Sequence, residues 1–426
     1  MNKFQVLPWV HTTNIYEVNV RQYTPEGTFK AFAKHLPRLK EMGVEVIWLM
    51  PVTPISVLNR KGSLGSYYAC SSYVAANPEF GTLKDFQNLV VEIHRLGMKI
   101  IIDWVANHTG WDHEWTKTNP DFYHRNDDGS FRPPVADWED VIHLNFDNGQ
   151  MRDAMIRAMQ FWVDEFDIDG FRCDMAMMVP LDFWHEARVR LDRRKPLFWL
   201  GEFDQWGEEH YGQVFDVSYT WHWMHTAQEY YHKYQKMYAL DAALSDYGRK
   251  RPYSHLRSFF TSNHDENSWN GTEYEKYGSM AIPLAVFSCL WNGVPLLYSG
   301  QELPNTKRLH FFDKDQIDWN EKPALHDFYS RLLNLRKQHP ALANGLPHTL
   351  SWRISTTDLS HIFSFVRRTA NGREVIVALN LSPHLHRFSF NDGRVGGVYM
   401  NLFSGKEVDL SKKFSIDPWG YLVLHK

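Results

Sequence analysis

Short apolar runs alternate along this chain with longer segments whose apolar positions recur at helical spacing. A first strand is predicted at Ile15-Tyr16-Glu17-Val18-Asn19-Val20, followed by a helix from near Thr28 to Gly43. Val46-Ile47-Trp48-Leu49-Met50 reads as a second strand, closed by Pro51. Thr82-Leu83-Lys84-Asp85 opens a helix with a capping-box spacing, Asp standing in for the usual Glu or Gln. Leu83, Phe86, Leu89, Val90, Ile93 and Leu96 then keep the helical interval until Gly97 stops it. Further strands are expected at residues 100–105, 169–174, 197–202, 214–217, 259–262 and 294–298. Helices are expected near 150–166 and 328–338.

Eight strands separated by helices, with polar groups gathered at strand ends, fit a (β/α)8 TIM barrel, whose active site is built from the loops that follow the strands. Residues 1–107 and 146–344 are assigned to the barrel. Between them lies an irregular insert, 108–145, rich in Asp, Asn, Pro and Trp; a loop of about forty residues inside a compact domain is uncommon and usually functional. From residue 345 to 426 the pattern changes to short alternating strands, such as His361–Val366 and Glu374–Asn380, parted by Asn-Gly and Asp-Gly turns. That tail reads as an antiparallel β-sandwich.

Four of the apolar runs end in acidic or imidazole groups: Ile100 to His108, Gly170 to Asp174, Leu197 to Glu202 and Phe259 to Asp265. On a strand, Arg172 and Asp174 project to one face while Phe171 and Cys173 take the other. Three acids on three strands, Asp174, Glu202 and Asp265, are thus expected at the barrel mouth, among His108, Arg172 and His264. Cleavage of a glycosidic bond with retention needs one carboxylate as nucleophile and a second as proton donor to the leaving oxygen. A same-face Arg172 favours an ionised Asp174. Desolvation favours a protonated Glu202.

Bulk properties narrow the alternatives. The 426-residue chain carries a net charge of −4 with no basic tract, so nucleic acid is not an expected partner. No apolar run is long enough to span a bilayer. Residues 1–8 lack the apolar core of a signal peptide. The chain therefore reads as cytoplasmic as given, or as periplasmic or secreted if a leader has been removed. Three cysteines, Cys70, Cys173 and Cys289, form no disulfide framework. Although there are 22 histidines, no HExxH spacing occurs, and His222 and His225 read as one helix face. The 17 tryptophans agree with sugar stacking as well as with a large core.

These motifs resemble the conserved regions of the α-amylase family, glycoside hydrolase family 13. Asp103-Trp104-Val105-Ala106-Asn107-His108 resembles the first region and Gly170-Phe171-Arg172-Cys173-Asp174 the second. Gly201-Glu202 resembles the third, Phe260-Thr261-Ser262-Asn263-His264-Asp265 the fourth, and Gly293 to Glu302 the eighth-strand signature. The resemblance implies Asp174 as nucleophile, Glu202 as general acid/base and Asp265 as transition-state stabiliser. It implies sugar contacts from His108, Arg172 and His264, and a stacking ring from Tyr68. Asp103 reads as a structural partner of Arg172. The implied substrate is an α-1,4-linked glucan or maltooligosaccharide, cleaved by hydrolysis. Transglycosylation, isomerisation, or action on α-1,6 bonds, trehalose or sucrose are the alternatives, with a non-catalytic sugar-binding relative last. The chemistry itself requires no cofactor. A structural calcium ion held partly by Asn107 belongs to the family pattern, but Met177, Met178 and His143 stand where many members have a Lys-His pair and an acidic ligand.

Overall fold

The structure, a computed structural model, describes residues 4–204, 209–249, 255–319 and 322–426. Eight short parallel strands form the barrel: β1 (Ile15–Val18), β2 (Val46–Leu49), β3 (Lys99–Trp104), β6 (Gly170–Cys173), β7 (Phe198–Gly201), β8 (Val217–Ser218), β9 (Leu256–Phe259) and β10 (Val294–Tyr298). Between β3 and β6 lie β4 (His108–Gly110) and β5 (Val141–His143). The closed order is β1-β10-β9-β8-β7-β6-β3-β2. Every residue of β1, β2, β6, β7 and β10 is buried, which explains why these segments read as continuous apolar runs.

Two compact units make up the chain. The first is built mainly from Ile15–Ser218 with Leu309–Trp319. Here β3 pairs in parallel with β6, aligning Asp103 with Arg172, and β6 pairs with β7, aligning Cys173 with Gly201. Gly170 opens β6 because a Cβ there would collide with the Phe198 backbone carbonyl. The helix at Leu83–Arg95 carries the expected capping box: the Thr82 hydroxyl accepts from Asp85 N, and the Thr82 N–H donates to the Asp85 carboxylate.

The insert has more order than its sequence implies. β4 and β5 form an antiparallel pair with His108 opposite His143, and a short helix (Trp115–Thr118) lies between them. The long helix expected over 28–43 is instead two, Phe29–Ala33 and Leu36–Met42, separated just before Pro37. Pro37 has no N–H to donate to the Ala33 carbonyl, so the ladder of the first helix cannot run on through it, whereas a proline is tolerated in the first turn of a new helix.

The second unit is built mainly from Tyr219–Arg308 and the C-terminal part of the chain. Its tail holds β11 (Thr349–Arg353), β12 (Ile362–Thr369), β13 (Glu374–Asn380), β14 (His386–Phe388), β15 (Val398–Asn401), β16 (Glu407–Asp409), β17 (Phe414–Ile416) and β18 (Tyr421–His425). Six strands form a sheet in the order β11-β12-β13-β18-β15-β16, and β14 pairs with β17. One core gathers Ile354, Val366, Ile376, Tyr399, Leu410 and Leu424. On β12, Phe365 meets Phe287 and Trp291 of the helical layer, which accounts for the doubly apolar character of the central strands. Two barrel strands sit away from their expected spans: β8 begins at Val217 rather than ending there, and β9 ends at Phe259, where the expected strand began.

Candidate active site

The alternation along β6 does what strand geometry requires, and Arg172 becomes the hub of the first unit's site. Its side chain is fully buried. Nη1 donates to Asp103 Oδ1 (2.9 Å) and Oδ2 (3.1 Å) and to Asp174 Oδ1 (2.9 Å). Nη2 lies 2.7 Å from Glu202 Oε2, an ionic contact rather than an aligned hydrogen bond. One guanidinium thus bridges the carboxylates of three strands. Removing one member of such a buried set is strongly destabilising, since it strands uncompensated charge.

Each acid is held by backbone as well. Asp174 N donates to Trp104 O, and Glu202 N donates to Cys173 O. Glu202 Oε2 also accepts the Met175 N–H at 2.8 Å. Met175 reaches that position in a left-handed conformation, φ 40° and ψ 47°, which is uncommon for a side chain of this size. Strain of this sort persists where the surroundings over-determine it. Here it turns an N–H onto the carboxylate and starts the loop that Tyr211 supports, its hydroxyl donating to the carbonyls of Met177 and Val179.

Tyr68 is buried, with its hydroxyl donating to Asp103 Oδ2 at 3.1 Å and its ring stacked on Phe311 at 6.2 Å and 15°. Its loop is anchored from below. Arg21 makes a two-pronged ion pair with Glu79 (2.7 and 2.8 Å), donates to the Gly65 carbonyl and lies over the Tyr67 ring at 4.3 Å. Asp313 accepts from both the N–H and the hydroxyl of Ser63. The sequence reading missed Arg21, Glu79, Phe311 and Asp313. Their partners lie 40 to 250 positions away in the chain, so no local pattern marks them.

His108 bonds the Tyr68 backbone and faces Trp138 with ring centroids 5.6 Å apart. Burial, with His143 nearby, lowers its pKa to about 3, so the ring is neutral at ordinary pH. Asn107 Nδ2 approaches His108 Nδ1 at 3.2 Å, while Asn107 Oδ1 is buried without a hydrogen-bond partner. A calcium ion takes six to eight oxygen ligands. The donors offered here are one amide oxygen and the nitrogen-bearing ring of His143, and the described residues gather no group of three acidic, histidine or cysteine ligands at this point. These donors do not fit the family's calcium ion.

The first unit therefore brings together Tyr68, Asp103, Arg172, Asp174 and Glu202, with His108 joined through the Tyr68 backbone. His264 and Asp265 belong to the second unit, in the turn after β9. His264 is buried and its Nε2 lies 3.3 Å from Asp265 Oδ2, while the Asp265 side chain is 38% exposed. Asn263 caps this turn, its Oδ1 accepting from Glu266 N. Behind it sits a buried network that the sequence did not reveal: Thr261 Oγ1 and Gln301 Nε2 both donate to Glu273 Oε2, at 2.7 and 2.9 Å.

A barrel whose strand ends converge buried carboxylates on one arginine is the architecture of a glycosidase-type enzyme. The chain belongs to the α-amylase family, glycoside hydrolase family 13: the model of its α-amylase catalytic domain matches residues 10–138 and 134–322. Among solved structures, an α-amylase from Lactobacillus plantarum superposes with a TM-score of 0.87 at 27% identity, covering 98% of this chain and 99% of that one. AmyB of Thermotoga neapolitana, described as a noncanonic maltogenic α-amylase, gives 0.86 at 27% identity over 98% and 97% of the two chains. An α-1,4-glucan:maltose-1-phosphate maltosyltransferase of Streptomyces coelicolor is 26% identical over 85% of this chain, which spans 57% of that relative's length.

Proposed function

We propose that this enzyme breaks α-1,4-glucosidic bonds of starch-like glucans or maltooligosaccharides with retention of configuration, through a glycosyl-enzyme intermediate on Asp174. The observation that carries this reading is the contact of one buried guanidinium with both the Asp174 and the Glu202 carboxylate. In the first step an Asp174 oxygen attacks the anomeric carbon while Glu202 gives its proton to the departing glycosidic oxygen. In the second, Glu202 takes a proton from the incoming hydroxyl, whose oxygen displaces Asp174 from the same carbon. Two inversions give net retention. Asp265 serves as the third acid, steadying the oxocarbenium-like charge, with Tyr68, His108, Arg172 and His264 holding the sugar. No step requires a metal.

The incoming hydroxyl belongs to water in hydrolysis and to a second sugar in transfer. Transfer is favoured by the several curated relatives named as maltosyltransferases, and hydrolysis by the amylases among the solved structures. The test is a time course on maltoheptaose, soluble starch, pullulan, isomaltotriose, trehalose and sucrose, with NMR of the first anomer and chromatography of product lengths. Early α-anomer from maltoheptaose is expected. Products longer than the substrate would assign transfer, whereas an early β-anomer would contradict retention. Glu202→Gln is expected to lower kcat on unactivated glucans by roughly 10²–10⁴-fold, the usual worth of a general acid.

A further inference from the structure

Far along the chain from the catalytic acids, three ligand-bearing side chains converge in the C-terminal β domain. Asp358 and His361 lie in the turn before β12, and His386 opens β14. His361 Nδ1 lies 3.0 Å from Asp358 Oδ1, and His386 Nδ1 lies 2.6 Å from Asp358 Oδ2. The two imidazoles stack with centroids 4.2 Å apart and planes 25° from parallel, so both present the same nitrogen to one carboxylate. All three ligand atoms fall within 4.8 Å of one another.

From this cluster we infer a binding site for a first-row divalent transition ion of the zinc type. Two imidazoles and one carboxylate are donors suited to zinc, copper or nickel rather than to calcium. Bonds of about 2.0 Å to a tetrahedral zinc place neighbouring ligand atoms about 3.3 Å apart; the two His–Asp separations, 3.0 and 2.6 Å, are hydrogen-bond distances that would widen by a few tenths of an ångström to admit the ion. Water supplies the fourth position, because His361 is 45% exposed. His361 also lines a cavity of about 690 Å³, bordered by Tyr230, Tyr231, His384 and Trp419, that gives an ion a way in.

The scaffold fixes the ligands before any ion arrives. Asp358 Oδ1 accepts the His361 N–H, Asp358 N donates to Thr356 Oγ1, and the His361 carbonyl accepts from Leu381 N. Thr357 and Ser389 exchange bonds across the gap, tying the turn to the segment that continues β14. Nδ1 of His386 faces Asp358 while its Nε2 is buried without a hydrogen-bond partner, so the ring's polar engagement is on the Asp358 side. The bond from the His361 N–H orients the Asp358 carboxylate toward both rings. The ion would staple the turn before β12 to β14, a structural duty separate from glycoside cleavage.

The test takes the full-length protein, stripped with a chelator and dialysed, and titrates it with Zn²⁺ by calorimetry and elemental analysis. Uptake of one equivalent is expected, with affinity at least about 10-fold weaker in His361→Ala and in His386→Ala and unchanged in the exposed-site control His348→Ala. In the unaltered protein, Zn²⁺ should protect His361, the exposed ligand, from diethyl pyrocarbonate, mapped by mass spectrometry, so the result does not depend on how the variants fold. No uptake by the wild type, uptake retained in both variants, or absence of protection at His361 would overturn the site.

Discussion

Arg172 is the residue on which the site turns. It is fully buried and makes ionic contacts with Asp103, Asp174 and Glu202 at once, so its replacement has a structural as well as a chemical consequence. Arg172→Met is expected to lose activity and to cost about 3–5 kcal/mol of stability, the penalty of leaving buried carboxylates unpaired. Urea unfolding reads this directly, and a loss below about 1 kcal/mol, the worth of an exposed pair, would contradict the charge account. Glu273 makes the opposite case. Burial raises its pKa to about 7, against the lowering effect of Thr261, Gln301 and Lys276. A carboxyl whose folded pKa is raised stabilises the fold below its unfolded pKa, and that contribution is lost as pH rises from about 4.5 through 7. A shift of that size is worth about 3 kcal/mol. Glu273→Gln keeps an oxygen acceptor for Thr261 and Gln301, so it should match the wild type near pH 4.5 and exceed it at pH 8. A constant difference across that range would show that Glu273 does not titrate as its surroundings imply.

At the scale of elements, local sequence carried most of the information where the cause was local. The Thr82–Asp85 capping box was legible because both partners lie within four residues, and Thr82→Ala should cost about 1 kcal/mol of stability, visible as a lowered thermal midpoint with unchanged KM. Strand β10 was legible residue for residue, since Gly293 and Ser299 bracket a fully apolar run. The rest depended on distant partners. β9 occupies Leu256–Phe259, ahead of the expected 259–262, because Ser258 and Phe259 pair with Val294 and Pro295. The two strands of the insert were hidden for the same reason, each being three residues long and defined only by the other. Within the first-unit site, the Arg172–Asp174 pair followed from strand periodicity and the Asp103 contact from the motif order. The Arg21–Glu79 clamp beneath the Tyr68 loop had no local signature.

At the scale of the molecule, the barrel gathers the carboxylates of the site at strand ends, while most of the buried interior is apolar. The three cysteines belong to that interior, and burial raises Cys70 and Cys289 to about 12 and Cys173 well above its ordinary value. A thiol reagent at neutral pH should therefore modify none of them in the folded enzyme and all three in denaturant; modification of the native protein would mean that its core opens. Among the described residues no helix is long and apolar enough to cross a membrane. The central claim is that Asp174 forms a bond to the sugar, and it can be tested by trapping that bond. In Glu202→Gln, an α-glucosyl fluoride needs no proton donor to enter the first step, while the second step lacks its base. Peptide mass spectrometry of the quenched reaction should find one glycosyl adduct, on Asp174. An adduct on another residue, or continued turnover with no adduct at all, would contradict the account.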